Sequence, residues 1–301
     1  MNTGIPHGPE LGTVVVGVDG SGPATRAALW AAAEADRRDR PLRIVYAADL
    51  DRLTQLASAR VIDQIHEAGR DLLQDAALAV RERFPDLTVI RELSRRDPVS
   101  GLHVSAGRHD TLVVGSRGLG GFGTLMLGSV GLEVAARSRL PVVVVRGESD
   151  GPTTGVVTAA VRGRGDTDWV RFAAREAQLR KATLRVLSAW SPLAHAGSVI
   201  TMLDGPDETT REHTRRVEIL AEPLRRAFPN LTLTTEVAGG SSAAAVLVEA
   251  SRHTDLLVVG ARRRPMGLGP SLSHVAHVLL HHAHCPVAIV PRRGTDGRDT
   301  W

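Results

Sequence analysis

The residues best able to do chemistry lie in one glycine-rich run, GSRGLGGFGTLMLGS, from Gly115 to Ser129. It follows a short apolar run and leads into a segment of helical period. Glycines let a backbone take positive φ and come close to a phosphate, while free N–H groups at the start of the next helix supply positive potential. Gly128, Ser129 and Val130 are the expected amide donors, and Arg117 is the cation inside the run. Asp19 is the second candidate, in the Asp-Gly-Ser-Gly turn after the first apolar run. Its carboxylate serves either a ligand or the turn and cap of the helix that follows.

Two phosphate motifs can be set aside. A Walker A loop needs a lysine, and Lys181 is the only one in the chain. The substring GLGGFG, Gly118 to Gly123, matches GxGxxG. A dinucleotide fingerprint, however, follows the first strand and has an acidic ribose ligand roughly 20 residues on. Here the loop follows the fourth expected strand, and the next strand ends in Arg146.

The elements that must position these residues come in two copies. LRIVYAA (Leu42–Ala48) answers LRVLSAW (Leu184–Trp190), and HDTLVVGSR (His109–Arg117) answers TDLLVVGAR (Thr254–Arg262), at offsets of 142 to 145 residues. Gly147 to Gly155 reads as a linker, so the expected domains are residues 12–147 and 154–293. Each copy alternates short Val/Ile/Leu runs with segments of 3.6 period, the pattern of parallel strands and crossover helices. The fold class is therefore α/β. In the first copy strands are expected at Thr13–Val18, Leu42–Ala47, Leu87–Glu92, Thr111–Gly115 and Val142–Val145. Ile62, Ile65, Leu72, Leu73, Ala76 and Val80 form one apolar stripe at helical spacing, which reads as core.

Composition narrows the classes further. With 301 residues, 43% hydrophobic and 23% charged, the chain fits two globular domains rather than a disordered, collagenous or coiled-coil protein. Apolar runs are too short for a membrane span, and Met1 to Gly12 lacks the regions of a secretory signal. A single cysteine, Cys285, fits a reducing, cytoplasmic setting. Net charge is +4 and aromatics are 3%, too few for base-stacking platforms, so neither a nucleic-acid nor a membrane partner is expected.

Gly115, two residues, Gly118, nine residues, then Gly128 and Ser129 is similar to the G-2x-G-9x-G-S/T signature of ATP-binding universal stress proteins. VVVGVDGS (Val14–Ser21) resembles that family's first strand and aspartate turn, and PVVVVR (Pro141–Arg146) its final strand. The resemblance covers about residues 12 to 293, as the tandem form of the family. It implies two Rossmann-like, five-stranded parallel sheets in the order 3-2-1-4-5, with strands 1 and 4 flanking a ligand crevice. It also implies ATP, with Mg2+ as an accompanying ion. Asp19 would contact the nucleoside and Ala47 or Ala48 would line the adenine pocket. Gly115, Arg117, Gly118, Gly128, Ser129 and Val130 would lie about the ribose and phosphates.

The second copy breaks the signature. Gly260 answers Gly115, but Arg263 answers Gly118, Ser273 answers Gly128, His274 answers Ser129 and Val161 answers Asp19. No ATP is expected there in the first copy's manner. The triplet Arg262, Arg263 and Arg264 reads as a solvated loop. His277 and His281 stand at i, i+4, but no acidic residue completes a shell and no metal is assigned.

These observations point to a nucleotide-responsive binding module. The other readings are a slow ATPase or phosphotransferase, which one carboxylate supports thinly, and a ligand-free assembly module. For assembly, the apolar edge strands Val142–Val145 and Val287–Val290 would pair antiparallel within the chain, as partners do in a family dimer, with a homodimer of chains also open.

Overall fold

The computed structural model describes residues 11–54, 57–118, 128–146, 153–163, 165–191, 206–261 and 272–292. These fall into two compact units, one ending at Val114 and the other running from Gly115 to Arg292.

In the first unit β1 (Val14–Gly17), β2 (Leu42–Ala47), β3 (Val89–Ser94) and β4 (Thr111–Gly115) form a parallel sheet in the order β3-β2-β1-β4. Val14, Val15 and Val16 are completely buried, which explains a continuous apolar run in place of alternation. Between the strands run α1 (Gly22–Arg37), the single turn α2 (Leu50–Leu53), α3 (Ala59–Arg83) and α4 (Pro98–Val104). On α1, Ala24, Ala27, Ala28, Ala31 and Ala35 face the core, and Asp39 leaves the helix with φ 51°. The α3 stripe is core as expected: Leu73 and Val80 are buried, and Ile62, Ile65, Leu72 and Ala76 are half-buried. Gly69 lies at the centre of that face, where a Cβ would come within 2.9 Å of Tyr46 and Leu93.

Sequence patterning places β2, β4 and the strand at Val142–Val145 at their observed bounds. It starts β3 two residues early. The Leu87 N–H is taken by the Phe84 carbonyl in the turn after α3, so pairing begins at Leu42↔Val89 and continues to Ala47↔Ser94.

The second unit holds β5 (Val142–Val145), β6 (Val156–Val161), β7 (Thr183–Trp190), β8 (Leu233–Gly239), β9 (Leu256–Ala261) and β10 (Val287–Pro291). Their order is β5-β10-β9-β6-β7-β8, with every neighbour parallel except β5 and β10. Those two pair antiparallel, Val144 opposite Val287 and Val142 opposite Ile289. The helices are α5 (Ser129–Arg137), α6 (Thr167–Leu179), α7 (Pro206–Ala227), α8 (Ala243–Ala250) and α9 (His274–His282), with a 3-10 turn at Ser251–His253. The last strand of the first repeat thus belongs to the second compact unit, because its fully buried valines pair with β10. Among the described residues no helix is long and apolar enough to cross a membrane.

Ladder registers refine the repeat. Val14 stands opposite Leu42 and Thr111, whereas Val157 stands opposite Leu184 and Leu256. With Leu42 matched to Leu184, β6 is displaced by one residue from the sequence alignment. Arg162, not Val161, is therefore level with Asp19; either way the second repeat carries no carboxylate at this position. The helices keep the original offset, since the buried pair of Glu34 and the α1 C-cap Arg38 recurs as Glu176 and the α6 C-cap Arg180.

Candidate functional site

In the first unit, Asp19 and Ala47 end neighbouring strands: the Val18 N–H donates to the Val45 carbonyl at 2.9 Å, just before both positions. Asp19 is half-buried, and its Oδ1 accepts the Ser21 N–H at 3.0 Å across Gly20, which takes φ 84°. The helix cap itself is Ser21, whose Oγ accepts the Ala24 N–H at 3.2 Å. Asp19 therefore shapes the turn without serving as the α1 cap. Ala47 lies beside α4, where a Cβ on Gly101 would come within 3.0 Å of its methyl. Ala48 continues the chain by donating its N–H to the Ser94 carbonyl at 3.2 Å.

The remaining predicted residues, Gly115, Arg117, Gly118, Gly128, Ser129 and Val130, gather at one end of the second unit. The Ser116 N–H donates to the Val145 carbonyl at 3.1 Å, and the Gly128 N–H donates to the Ser116 carbonyl at 2.9 Å. These two bonds pin both ends of the glycine run beside β5. Gly128 precedes α5 with φ −72° and ψ 149°, a conformation open to any residue, and as the N-cap it offers no side chain to cap the helix. A Cβ there would stand 3.5 Å from the Arg117 Cα and 3.7 Å from the Gly118 N, ordinary contact distances. Among the described residues neither strain nor crowding calls for glycine at 128. What glycine leaves is bare backbone beside first-turn amides, the donor set an anion requires. Residues 119–127, including most of the GLGGFG substring, lie outside the described residues.

The second repeat shows how these motif positions are arranged about a crevice. One cleft at the ends of β6 and β9 is lined by Val161, Arg162, Ala189, Gly260, Ser273 and Val275, among others. Ala189, Gly260, Ser273 and Val275 answer Ala47, Gly115, Gly128 and Val130, and Arg162 is level with Asp19. The motif positions of one repeat thus converge on a single cleft between strands 1 and 4 of that repeat.

That cleft is largely filled, leaving about 50 Å3. The Trp169 indole lies on Gly260, where a Cβ would come within 2.5 Å of its ring carbons. Its Nε1–H donates to the Ala160 carbonyl at 2.9 Å, and the residue is 7% exposed. Ser273 takes the Gly128 conformation, φ −64° and ψ 154°, but its own Oγ accepts the Ala276 N–H at 3.1 Å. Asp166 accepts N–H groups from Arg162 and from Gly163, the latter at 3.0 Å, closing the turn after β6. Arg262, Arg263 and Arg264 lie outside the described residues. Trp169 was missed by sequence reasoning. The signal was present in the alignment of α1 with α6, which sets Trp169 against Ala27.

On α9 the His277 and His281 rings are 4.6 Å apart, and His281 and His282 are 6.2 Å apart. Among the described residues no three His, Cys, Asp or Glu gather as metal ligands. The Arg146 guanidinium instead caps the end of α9, donating to the carbonyls of Leu280, His281 and Ala283, the last at 3.2 Å. Burial, then the nearby Arg117, holds the Arg146 pKa below its usual value.

Two α/β repeats, each built on parallel strands with crossover helices, define a class of Rossmann-like sandwich. The universal stress protein family model matches residues 10–146 and again 157–291, and the chain belongs to that family as a tandem of two such domains. It is similar to universal stress protein Rv2624c of Mycobacterium tuberculosis, at 30% identity over 94% of this chain and 98% of that one. A second protein of that organism, universal stress protein Rv3134c, is 32% identical over 88% of this chain and 90% of the relative. Among solved structures, a universal stress protein from Archaeoglobus fulgidus DSM 4304 superposes with a TM-score of 0.68, covering 93% of this chain and 98% of that one at 13% identity.

Proposed function

We propose that the first repeat binds ATP and that the chain acts as a nucleotide-responsive regulatory module. The observation that carries this reading is the pair of helix starts: α9 is capped by its own Ser273 hydroxyl, whereas α5 begins at Gly128 with no side-chain cap. The amides of Ser129 and Val130, with bare backbone at Gly115, Gly118 and Gly128, would take the phosphates. Arg117 would add charge, and Asp19 and Ala47 would meet the nucleoside. The triphosphate would bring Mg2+ with it, and its charge is what the open helix start offsets. The residues described here hold a ligand in place; they include no acid in the glycine run to activate water. The second repeat, self-capped and filled, is assigned no nucleotide.

Native mass spectrometry and calorimetric titration with Mg-ATP test this. One ATP per chain is expected, and Gly128→Val should weaken binding about 100-fold, roughly 2.7 kcal/mol, with little change in unfolding midpoint. Two ATP per chain, none, or repeated hydrolysis abolished by that substitution would each overturn the proposal.

A further inference from the structure

The Trp169 indole occupies the cleft around which the second repeat's motif positions converge. We infer that Trp169 is a built-in ligand of the second repeat, and that the cleft beneath it accepts a free purine base once the indole is removed.

Three observations carry this. The ring comes so close to Gly260, with three of its carbons within 2.7 Å of where a Cβ would stand, that only glycine leaves room for the aromatic group the chain itself provides. The indole N–H is satisfied by the Ala160 carbonyl at the end of β6, an acceptor equally suited to a purine N–H. The corresponding residue of α1 is Ala27, fully buried and without a ring, although the helices match at both members of the buried charged pair further along. Indole and adenine are both planar fused five- and six-membered rings with an edge N–H, so one can stand in for the other in shape and donor. The site is for a base and not a nucleotide, because the Ser273 side chain folds over the first turn of α9 to hold the Ala276 N–H, covering the helix start where a phosphate would sit, and Arg162 stands where the first repeat has Asp19. Trp169 is thus a specificity-determining residue: it closes the second crevice to exogenous ligand while keeping its walls apart.

The inference borrows from the proposed function only the ligand class, and the test separates the two. Wild-type full-length chain and Trp169→Ala are titrated with adenine by calorimetry, and their melting is followed with and without adenine. The variant should bind one more adenine per chain than wild type, at least about tenfold more tightly than any wild-type binding at that cleft. Its melting midpoint should fall without ligand and be partly restored by adenine, as expected when a cavity left by a large side chain is refilled. An unchanged adenine stoichiometry in folded Trp169→Ala overturns the inference. If that variant does not fold, Trp169→Leu keeps apolar bulk in the core and is read in the same way. A second ATP bound by Trp169→Ala alone would overturn the role given to Ser273. Failure of the wild type to bind ATP refutes the proposed function and leaves the adenine result in the second repeat standing.

Discussion

Gly128 and Ser273 share one backbone conformation and differ by a hydroxymethyl group, and that group decides whether the helix start is open or closed. Placing the second repeat's residue in the first is therefore informative. Gly128→Ser fits sterically, since among the described residues a Cβ meets nothing closer than 3.5 Å, and as a cap it should change stability by no more than a few tenths of a kcal/mol. ATP affinity should nevertheless fall about tenfold or more, because the new side chain covers the first turn, which paired denaturation and calorimetry would show; unchanged affinity would mean that the phosphates do not need an uncovered helix start. His281 gives a pH-dependent counterpart. Burial, followed by His277, Arg146 and His282, lowers its pKa from 6.5. The unfolded chain then takes up a proton that the folded one resists, so stability should decline as pH falls through about 6.5. Urea midpoints at pH 7.5 and 5.5 should differ less in His281→Phe than in wild type.

At the level of elements, the crossover helices are tied to the sheet by buried charge as well as by alanine faces. Arg38 donates to Glu34 at 2.9 Å and to the Thr111 Oγ1 at 3.0 Å, with the two charged side chains 2% and 0% exposed. Removing one member of such a pair leaves the other poorly compensated, at a cost of up to about 3–5 kcal/mol, with the half-exposed Arg37 still 3.4 Å from Glu34. Arg38→Met should lose that much by chemical denaturation, and Glu34→Met/Arg38→Met should recover part of it. If the single and double variants are equally stable, the pair contributes little. The same arrangement at Glu176 and Arg180 anchors the alignment of α1 with α6, and that alignment exposes Trp169 as an insertion of bulk at Ala27. Element bounds were readable at β2, β4 and β5, where apolar runs were continuous, and β1 is one residue shorter at each end than the expected Thr13–Val18. They failed at β3 because a turn bond, invisible to hydropathy, holds Leu87 out of the ladder.

For the molecule as a whole, the compact division does not follow the sequence repeat. β5 pairs with β10, and Arg146 immediately after β5 caps α9 on three carbonyls. A guanidinium at a helix C-terminus satisfies orphan acceptors and opposes the helix dipole. Arg146→Met should cost about 1–2 kcal/mol and speed amide hydrogen exchange from Leu280 to Ala283, while leaving one ATP per chain. Unaltered exchange at that helix end would show that the cap is not needed there.

The amino-acid sequence by itself determined the duplication, the α/β class, the family and the glycine run with its broken second copy. Each is written in local spacing and periodicity, which depend on chain neighbours alone. Only the tertiary structure decided that Arg162 rather than Val161 is level with Asp19, since register is set by strand pairing across the sheet. Only it showed Trp169 on Gly260 and Ser273 closing its own helix. Both are contacts between segments or choices of side-chain direction, and no local pattern records which of several apolar or hydroxyl residues will fill a cleft.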